Sequence, residues 1–312
     1  MSRLGERLTE AFGAERVGSN VPLAPLTTFK VGGPAEWLVT LHRPDDVCRA
    51  IAIAQRAGAP VTALGGGSNV LVADEGVAGV VVRMHGGEVT AISPRLIRAD
   101  AGVAINGLVR WTVSRGIAGL EAWAGTPGTL GGAVFGNAHF RGRLISELIE
   151  RVSLVGEDGV AIDVPAADMD FAYDFSRLHR TREVVLSADV RVGTGEPATL
   201  RAIARESLAF RKRTQPLESP SAGCIFQNPQ APVDFVPEGF PYSAGALVDR
   251  AGLKGARQGG AQVSATHANF IVNAGGASAD DIRALISRCK TDVRARYGVA
   301  LREEIVYLGT KA

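Results

Sequence analysis

Two glycine-rich stretches are placed to meet a ligand with backbone rather than side chains. The first is Leu64-Gly-Gly-Gly-Ser-Asn-Val-Leu71. Gly65, Gly66 and Gly67 remove every Cβ that could hold a ligand off the main chain, and they permit positive φ angles. Ser68 and Asn69 add small polar groups beside that run of amides, and such a loop can form a concave nest suited to phosphate. A lone loop of this kind is more often a plain surface turn. A second stretch, Gly125-Thr-Pro-Gly-Thr-Leu-Gly-Gly132, weakens that bland reading, with Pro127 fixing one φ angle among its glycines.

Reactive side chains are sparser. The three cysteines, Cys48, Cys224 and Cys289, have no zinc-like spacing, and their odd number argues against a disulfide framework. A reducing cytoplasm fits them. Cys48 and Cys289 fall at apolar helix positions and read as packing residues, whereas Cys224 lies in a glycine-flanked loop. His42, His85, His139 and His179 lack metal-ligand spacing, so no catalytic metal is expected, and His267 reads as a structural histidine. The net charge of +2, with Arg211-Lys212-Arg213 the only tight basic cluster, gives no reason to expect nucleic acid. Charges at Arg3, Glu6, Arg7, Glu10 and Glu15 exclude a signal peptide, and no apolar run reaches membrane-spanning length.

The elements that position these loops follow from periodicity. A chain of 312 residues exceeds one ordinary core and implies two or three compact units. Its 46% hydrophobic and 21% charged residues are those of an ordinary globular protein. Residues 36–64 read as strand, helix and strand, delivering the first glycine loop at a strand end, where open α/β sheets bind ligands. Within it Pro44 and Asp45 open a helix with Val47, Ile51 and Ala54 on one face. Val77–Met84 is a β-branched strand, residues 88–103 hold two short strands, and Ile105–Arg115 is a helix. Strands follow at Arg151–Val155, Val160–Val164 and Glu183–Val192, and Gly193–Pro197 is the best boundary. Beyond a helix starting at Pro197 lies a proline-rich loop region. Ser243–Ala251 is a helix, and Ser278–Tyr297 is the clearest one, with Ser278 and Asp281 spaced as a capping box. Glu304–Leu308 reads as a last strand. This divides the chain into a lead-in (1–20), a domain at 21–195 split near residue 85, and a domain at 196–312.

The ordered motifs carry more information than any one of them. They are Thr28-Phe-Lys-Val-Gly-Gly-Pro-Ala35, Gly65–Asn69, Gly125–Ala133, Asn137-Ala138, Gln215-Pro216, Ser221-Ala-Gly-Cys-Ile-Phe-Gln-Asn-Pro229, Gly252-Leu-Lys-Gly255, His267–Asn273 and Glu304. From about Val21 to Gly309 the series resembles the UDP-N-acetylenolpyruvoylglucosamine reductase family, also called UDP-N-acetylmuramate dehydrogenases. The resemblance implies an α+β chain. It would have an FAD-binding fold of the vanillyl-alcohol-oxidase (PCMH) type in two subdomains, then a C-terminal α+β substrate-binding domain. The implied activity is NADPH- and FAD-dependent reduction of UDP-N-acetylglucosamine enolpyruvate to UDP-N-acetylmuramate, in peptidoglycan precursor synthesis in the cytoplasm.

The resemblance also implies roles for residues. Gly65, Gly66, Gly67, Ser68, Asn69, Gly125, Thr126, Pro127, Gly128, Gly131, Gly132 and Asn137 would meet FAD, and Asn228 and Lys254 the UDP pyrophosphate. Cys224 stands where the family usually carries a proton-donating serine. A thiol, with an ordinary pKa of about 8.5, is largely protonated at neutral pH and a stronger acid than an alcohol. Glu304 matches the family's catalytic glutamate. One departure is serious: the family's Tyr-Arg-x-Ser reads Tyr173-Asp174-Phe175-Ser176, reversing the charge that helps stabilise the substrate carboxylate. Arg177, Arg180 and Arg182 are the nearby candidates to supply that guanidinium. Gln227 replaces a common lysine, and Gln230–Tyr242 forms a longer insert than usual. Two alternatives stay open: a flavin enzyme of this fold acting on another substrate, and a non-catalytic relative. Oligomeric state is not readable from the sequence.

Overall fold

A computed structural model describes residues 3–309 and divides the chain into two units. Unit one comprises the chain as far as Val21, then Ala35–Gly66 and Ala78–Phe210; unit two comprises Pro22–Pro34, Gly67–Val77 and the chain from Arg211 on. This differs from a division at 21 and 196. The supposed lead-in contains a helix, Arg3–Phe12, whose Leu8 and Phe12 are buried in the core of unit one. The helix expected to open the second domain runs Pro197–Thr214 and contributes Leu200 to that same core. Met1 and Ser2, and residues 310–312, which the lead-in and the C-terminal domain were expected to include, lie outside the described residues.

Unit one is built on two sheets. One has four strands in the order Val17–Pro22, Pro34–Leu41, Val77–Met84, Val61–Leu64. The expected strand–helix–strand unit is therefore present with Val77–Met84 inserted between its two strands, and Val61–Leu64 runs parallel to the inserted one. Its helix, Pro44–Arg56, starts with proline at N1 and Asp45 and Asp46 in the first turn, and ends with Arg56 in the last. Both ends thus suit the helix dipole. Val47, Ala50, Ile51 and Ala54 make its buried face. Removing a valine or isoleucine side chain from water in this way contributes about 1.5–3 kcal/mol each.

The other sheet is antiparallel, in the order Ala161–Pro165, Ile149–Val155, Val184–Arg191, Leu96–Asp100, Val89–Ser93. Leu96–Asp100 alternates, with Ile97 and Ala99 buried, as a strand with one face on a core should. The helix Ile105–Ser114 buries Leu108, Val109 and Thr112 as its periodicity predicts. A six-residue helix, Leu130–Phe135, was not expected; Thr129 starts it by accepting a hydrogen bond from the Gly132 amide.

Unit two has its own core, around Phe29, Leu71, Ile225, Phe226, Leu247 and Ile282. The helix Ala279–Tyr297 has both arms of the expected capping box, and Gly298 ends it in the left-handed conformation. Asp74, far away in the chain, also caps it, accepting from the amides of Ala279 at 2.9 Å and Asp280 at 3.2 Å. Ile282, Leu285, Ile286, Cys289 and Val293 form its buried stripe. Val306–Leu308 pairs in parallel with Val70–Val72, which is why the segment after the first glycine loop belongs to this unit. Among the described residues no helix is long and apolar enough to cross a membrane.

Candidate active site

In unit one the two glycine loops approach each other closely. A Cβ on Gly66 would lie 2.6 Å from the Cα of Gly128, and one on Gly65 would lie 2.6 Å from Thr129 Oγ1. Real Cβ atoms do not come that close to main chain, so only glycine permits the approach at Gly66. Asn106, on the Ile105–Ser114 helix, shapes the second loop. Its Oδ1 accepts from the Gly125 amide at 2.7 Å, and its Nδ2 donates to the Thr126 carbonyl at 3.1 Å. Neither Asn106 nor Thr129 was singled out from sequence; an asparagine beside a helix start carries no mark of a loop twenty residues on.

Asn137 is fully buried, and both ends of its amide are engaged. Nδ2 donates to the Ala172 carbonyl at 2.8 Å, and Oδ1 accepts from the Ser146 amide at 3.1 Å. Its geometry is that of a residue holding three chain segments together. The same segments meet again where Ser176 Oγ donates to the Phe135 carbonyl at 2.6 Å.

Unit two gathers the side chains expected to do chemistry. Cys224 follows Gly223, whose φ of 81° suits glycine, and leads into a run pinned on both sides. Asn269, 2% exposed, accepts from the Phe226 amide at 2.9 Å and donates to the Phe226 carbonyl at 2.8 Å, while its own carbonyl accepts from Ile225. On the other side the Glu304 amide donates to the Ile225 carbonyl at 2.8 Å, and the Gln227 amide to that of Arg302 at 2.9 Å. Cys224 and Glu304, eighty residues apart in sequence, therefore sit on neighbouring backbone runs. Glu304 lies just ahead of the last strand, which begins at Val306 rather than at Glu304.

Asn69 joins this construction. Its Nδ2 donates to the Glu304 carbonyl at 3.1 Å and its carbonyl accepts from the Val306 amide at 2.9 Å. The side chain is a clasp for the Glu304 run. Gly67 turns with φ 62°, and a Cβ there would lie 2.2 Å from the Leu26 carbonyl oxygen.

Sequence reading also passed over Arg211, set aside as part of a basic cluster. It is 5% exposed and interacts electrostatically with Cys224. Burial lowers its guanidinium to about 10, opposed by that interaction, so it remains a cation at neutral pH. The three arginines expected to replace the missing guanidinium are occupied elsewhere. Arg177 forks onto Glu183 at 3.0 and 2.5 Å, Arg180 lies over the Phe175 ring, and Arg182 pairs with Glu157 at the surface. Asn228 Oδ1 accepts from the Ala244 amide at 3.0 Å, and Lys254 pairs with Asp249 at 2.8 Å. Glu303, beside Glu304 in the chain, is paired with Lys290 and Tyr307. Cys289 is buried and its thiol is pushed up to about 12, in keeping with a packing role.

Comparison with known proteins defines the class first. Residues 35–164, which include both glycine loops, match an FAD-binding domain, so this is a flavoprotein of α+β build. Residues 215–308, which include Cys224 and Glu304, match the C-terminal domain of UDP-N-acetylenolpyruvoylglucosamine reductase. The reductase of that name from Gloeobacter violaceus is 40% identical over 95% of this chain and 97% of its own. That from Heliobacterium modesticaldum is 38% identical over 92% and 89%. The crystal structure of UDP-N-acetylenolpyruvylglucosamine reductase (MurB) from Thermus caldophilus covers 94% of this chain and 99% of its own, at 34% identity and a TM-score of 0.77. The chain belongs to the UDP-N-acetylenolpyruvoylglucosamine reductase family.

Proposed function

We propose that this protein reduces the enolpyruvyl ether of UDP-N-acetylglucosamine to UDP-N-acetylmuramate, with NADPH as reductant. The observation that carries the reading is the pinning of Cys224 and Glu304 on adjacent runs, by the Glu304 amide on the Ile225 carbonyl and by Asn69 on the Glu304 carbonyl. A thiol and a carboxyl held together by main-chain hydrogen bonds can divide proton donation and charge control between them.

The Cβ-free approach of Gly66 to Gly128, with Asn106 shaping the second loop, fits a pyrophosphate-bearing cofactor that must touch main chain. Gly65–Gly67, Ser68 and Gly125–Gly132 are the residues to hold FAD. Bound FAD supplies the chemistry of accepting a hydride from NADPH and passing it to carbon. Hydride addition at the terminal carbon of the enolpyruvyl group sends negative charge toward its carboxylate. The Cys224 thiol then gives its proton to the adjacent carbon. Arg211, a buried cation, offsets the charge left on sulfur. Glu304 bears on the substrate carboxylate, which requires it to be protonated or faced by a cation there. Asn228 and Lys254 serve the UDP pyrophosphate.

The test separates the two half-reactions. Protein with bound FAD is expected to lose its yellow colour with NADPH and regain it when the enolpyruvyl UDP-sugar is added without oxygen. Bleaching without that recovery would leave a flavin enzyme for another substrate, and no bleaching would leave a non-catalytic relative.

A further inference from the structure

The insert Gln230–Tyr242 has no part in the chemistry described above, yet its first turn is firmly built. It lies within unit two, as do Cys224 and Glu304. The Asp234 amide donates to the Gln230 carbonyl at 2.8 Å, and the Gln230 amide donates back to Asp234 Oδ2 at 2.7 Å. Gln230 Nε2 donates to the Asn228 carbonyl at 2.9 Å, joining this turn to the run that carries Cys224. Asn228 Oδ1 in turn accepts from the Ala244 amide at 3.0 Å, so Asn228 gathers the chain on both sides of the insert. The Asp234 side chain, 19% exposed, therefore leaves a closed turn.

What that carboxylate grips is the run leading to Glu304. Arg302 donates from Nη1 to Asp234 Oδ1 at 2.6 Å and from Nη2 to Oδ2 at 2.7 Å, a fork whose plane is set by both prongs. Arg302 Nε also donates to Gln227 Oε1 at 3.3 Å. The backbone beneath is an isolated antiparallel bridge between Phe226 and Glu303. It is made by the Gln227 amide on the Arg302 carbonyl and the Glu304 amide on the Ile225 carbonyl. A single bridge has little ladder to fix its register, so side chains must. Asn69 fastens the Glu304 carbonyl, Lys290 and Tyr307 hold Glu303, and Asp234 holds Arg302. In such a bridge alternate residues leave opposite sides, which puts Arg302 and Glu304 on one side and Glu303 on the other.

We propose that Asp234 is a positioning residue for the reaction: through Arg302 it fixes where the Glu304 carboxyl stands, and the insert is the brace for that run. This rests on the reductase reading above. Asp234 acts on Arg302 rather than on the substrate, so its effect falls on the step that Glu304 serves, as negative charge gathers at the substrate carboxylate. A group misplaced by about 1 Å there can cost about a hundredfold in rate. A surface ion pair without this role would matter slightly to stability and not to that step.

The experiment uses FAD-loaded, full-length protein. It measures flavin reduction by NADPH, then reoxidation in single turnover over a range of enolpyruvyl UDP-sugar concentrations. Asp234→Ala is expected to slow the saturating reoxidation rate about tenfold, less than the full misplacement because Asn69 and the Glu303 contacts remain. The half-saturating concentration should stay within about twofold of wild type, the split expected when only the transition state loses support. NADPH reduction should be unchanged. Asp234→Glu can rebuild the fork and should recover most of the rate. Arg302→Met should match Asp234→Ala, and the two together should cost no more than either, since each removes the same fork. Should Asp234→Ala lose its flavin, Arg302→Met compared with Arg302→Lys takes over the test, with lysine expected to be the faster. A wild type competent in both half-reactions would overturn this inference alone under any of three results. These are an unchanged saturating rate in the variants, a loss confined to the half-saturating concentration, or a charge-retaining variant no faster than its neutral counterpart. A wild type that NADPH reduces but the enolpyruvyl UDP-sugar cannot reoxidise would overturn the reductase reading and this inference with it.

Discussion

The two units use main chain and side chains in opposite ways. In unit one the glycine loops are bare, and asparagines work behind them: Asn106 on Gly125 and Thr126, Asn137 on Ala172 and Ser146. In unit two Asn69 and Asn269 make the same kind of bond to backbone, yet what they hold in place are the runs carrying Cys224 and Glu304. The first arrangement suits a large cofactor that must be gripped along its length. The second suits a few reacting atoms that need particular groups. Damage should therefore be of different kinds: loss of a cofactor in one unit, loss of a single step in the other.

The largest effect that would test this contrast is expected from Gly66→Val. Its Cβ would fall 2.6 Å from the Gly128 Cα and 3.1 Å from its carbonyl carbon, where no side chain can rotate away. The loops must separate, and the purified protein is expected to carry almost no flavin, read as flavin absorbance relative to protein absorbance. Normal flavin content would show that the close approach is dispensable. Cys224→Ala comes next, with the opposite signature. Flavin content and reduction by NADPH should be unchanged, while reoxidation by the enolpyruvyl UDP-sugar slows by about 10²–10⁴-fold, the range for removing a general acid. Cys224→Ser should retain more of the rate than alanine. Loss of both half-reactions together would remove the distinction between the units.

What could be read in advance divides along a physical line. Glycine loops were legible because absent side chains are visible in a sequence. The Ala279–Tyr297 helix was legible because Ser278 and Asp281 satisfy each other within one turn. The family resemblance, resting on motifs spread over most of the chain, led to the right family. Hidden from sequence were the polar side chains whose partners are distant: Asn269 and Phe226, 43 residues apart, or His139 and Asp174, 35 apart. No periodicity encodes such pairs. Asp174 is visible as a reversed charge, but its histidine partner, 35 residues away, is not, whereas the nearby arginines are. The interleaving of the two units along the chain is hidden for a related reason. Residues 67–77 follow the first loop directly, yet Val70–Val72 pairs with a strand at the far end of the chain.

The smallest effect concerns the insert Gln230–Tyr242, which leaves Val233 and Phe235 exposed. Arg302, two residues before Glu304, forks onto Asp234 at 2.6 and 2.7 Å, and Asp234 also accepts from the Gln230 amide. Arg302 foremost, then that amide, holds the Asp234 carboxyl down at about 2. A depressed carboxylate contributes stability above its unfolded value, near 3.9, and loses it as pH falls through the folded one. Because the pair lies at the surface, where solvent screens it, the contribution is about 0.2–1 kcal/mol. Asp234→Asn should therefore lower stability by that amount at neutral pH. Urea unfolding should find the gap constant down to about pH 4 and closing toward about pH 2. A gap that stays open in acid would mean that the insert is held by packing rather than by charge. In that case unit two would fix even its surface loop in the way unit one fixes its glycine loops, through neutral contacts.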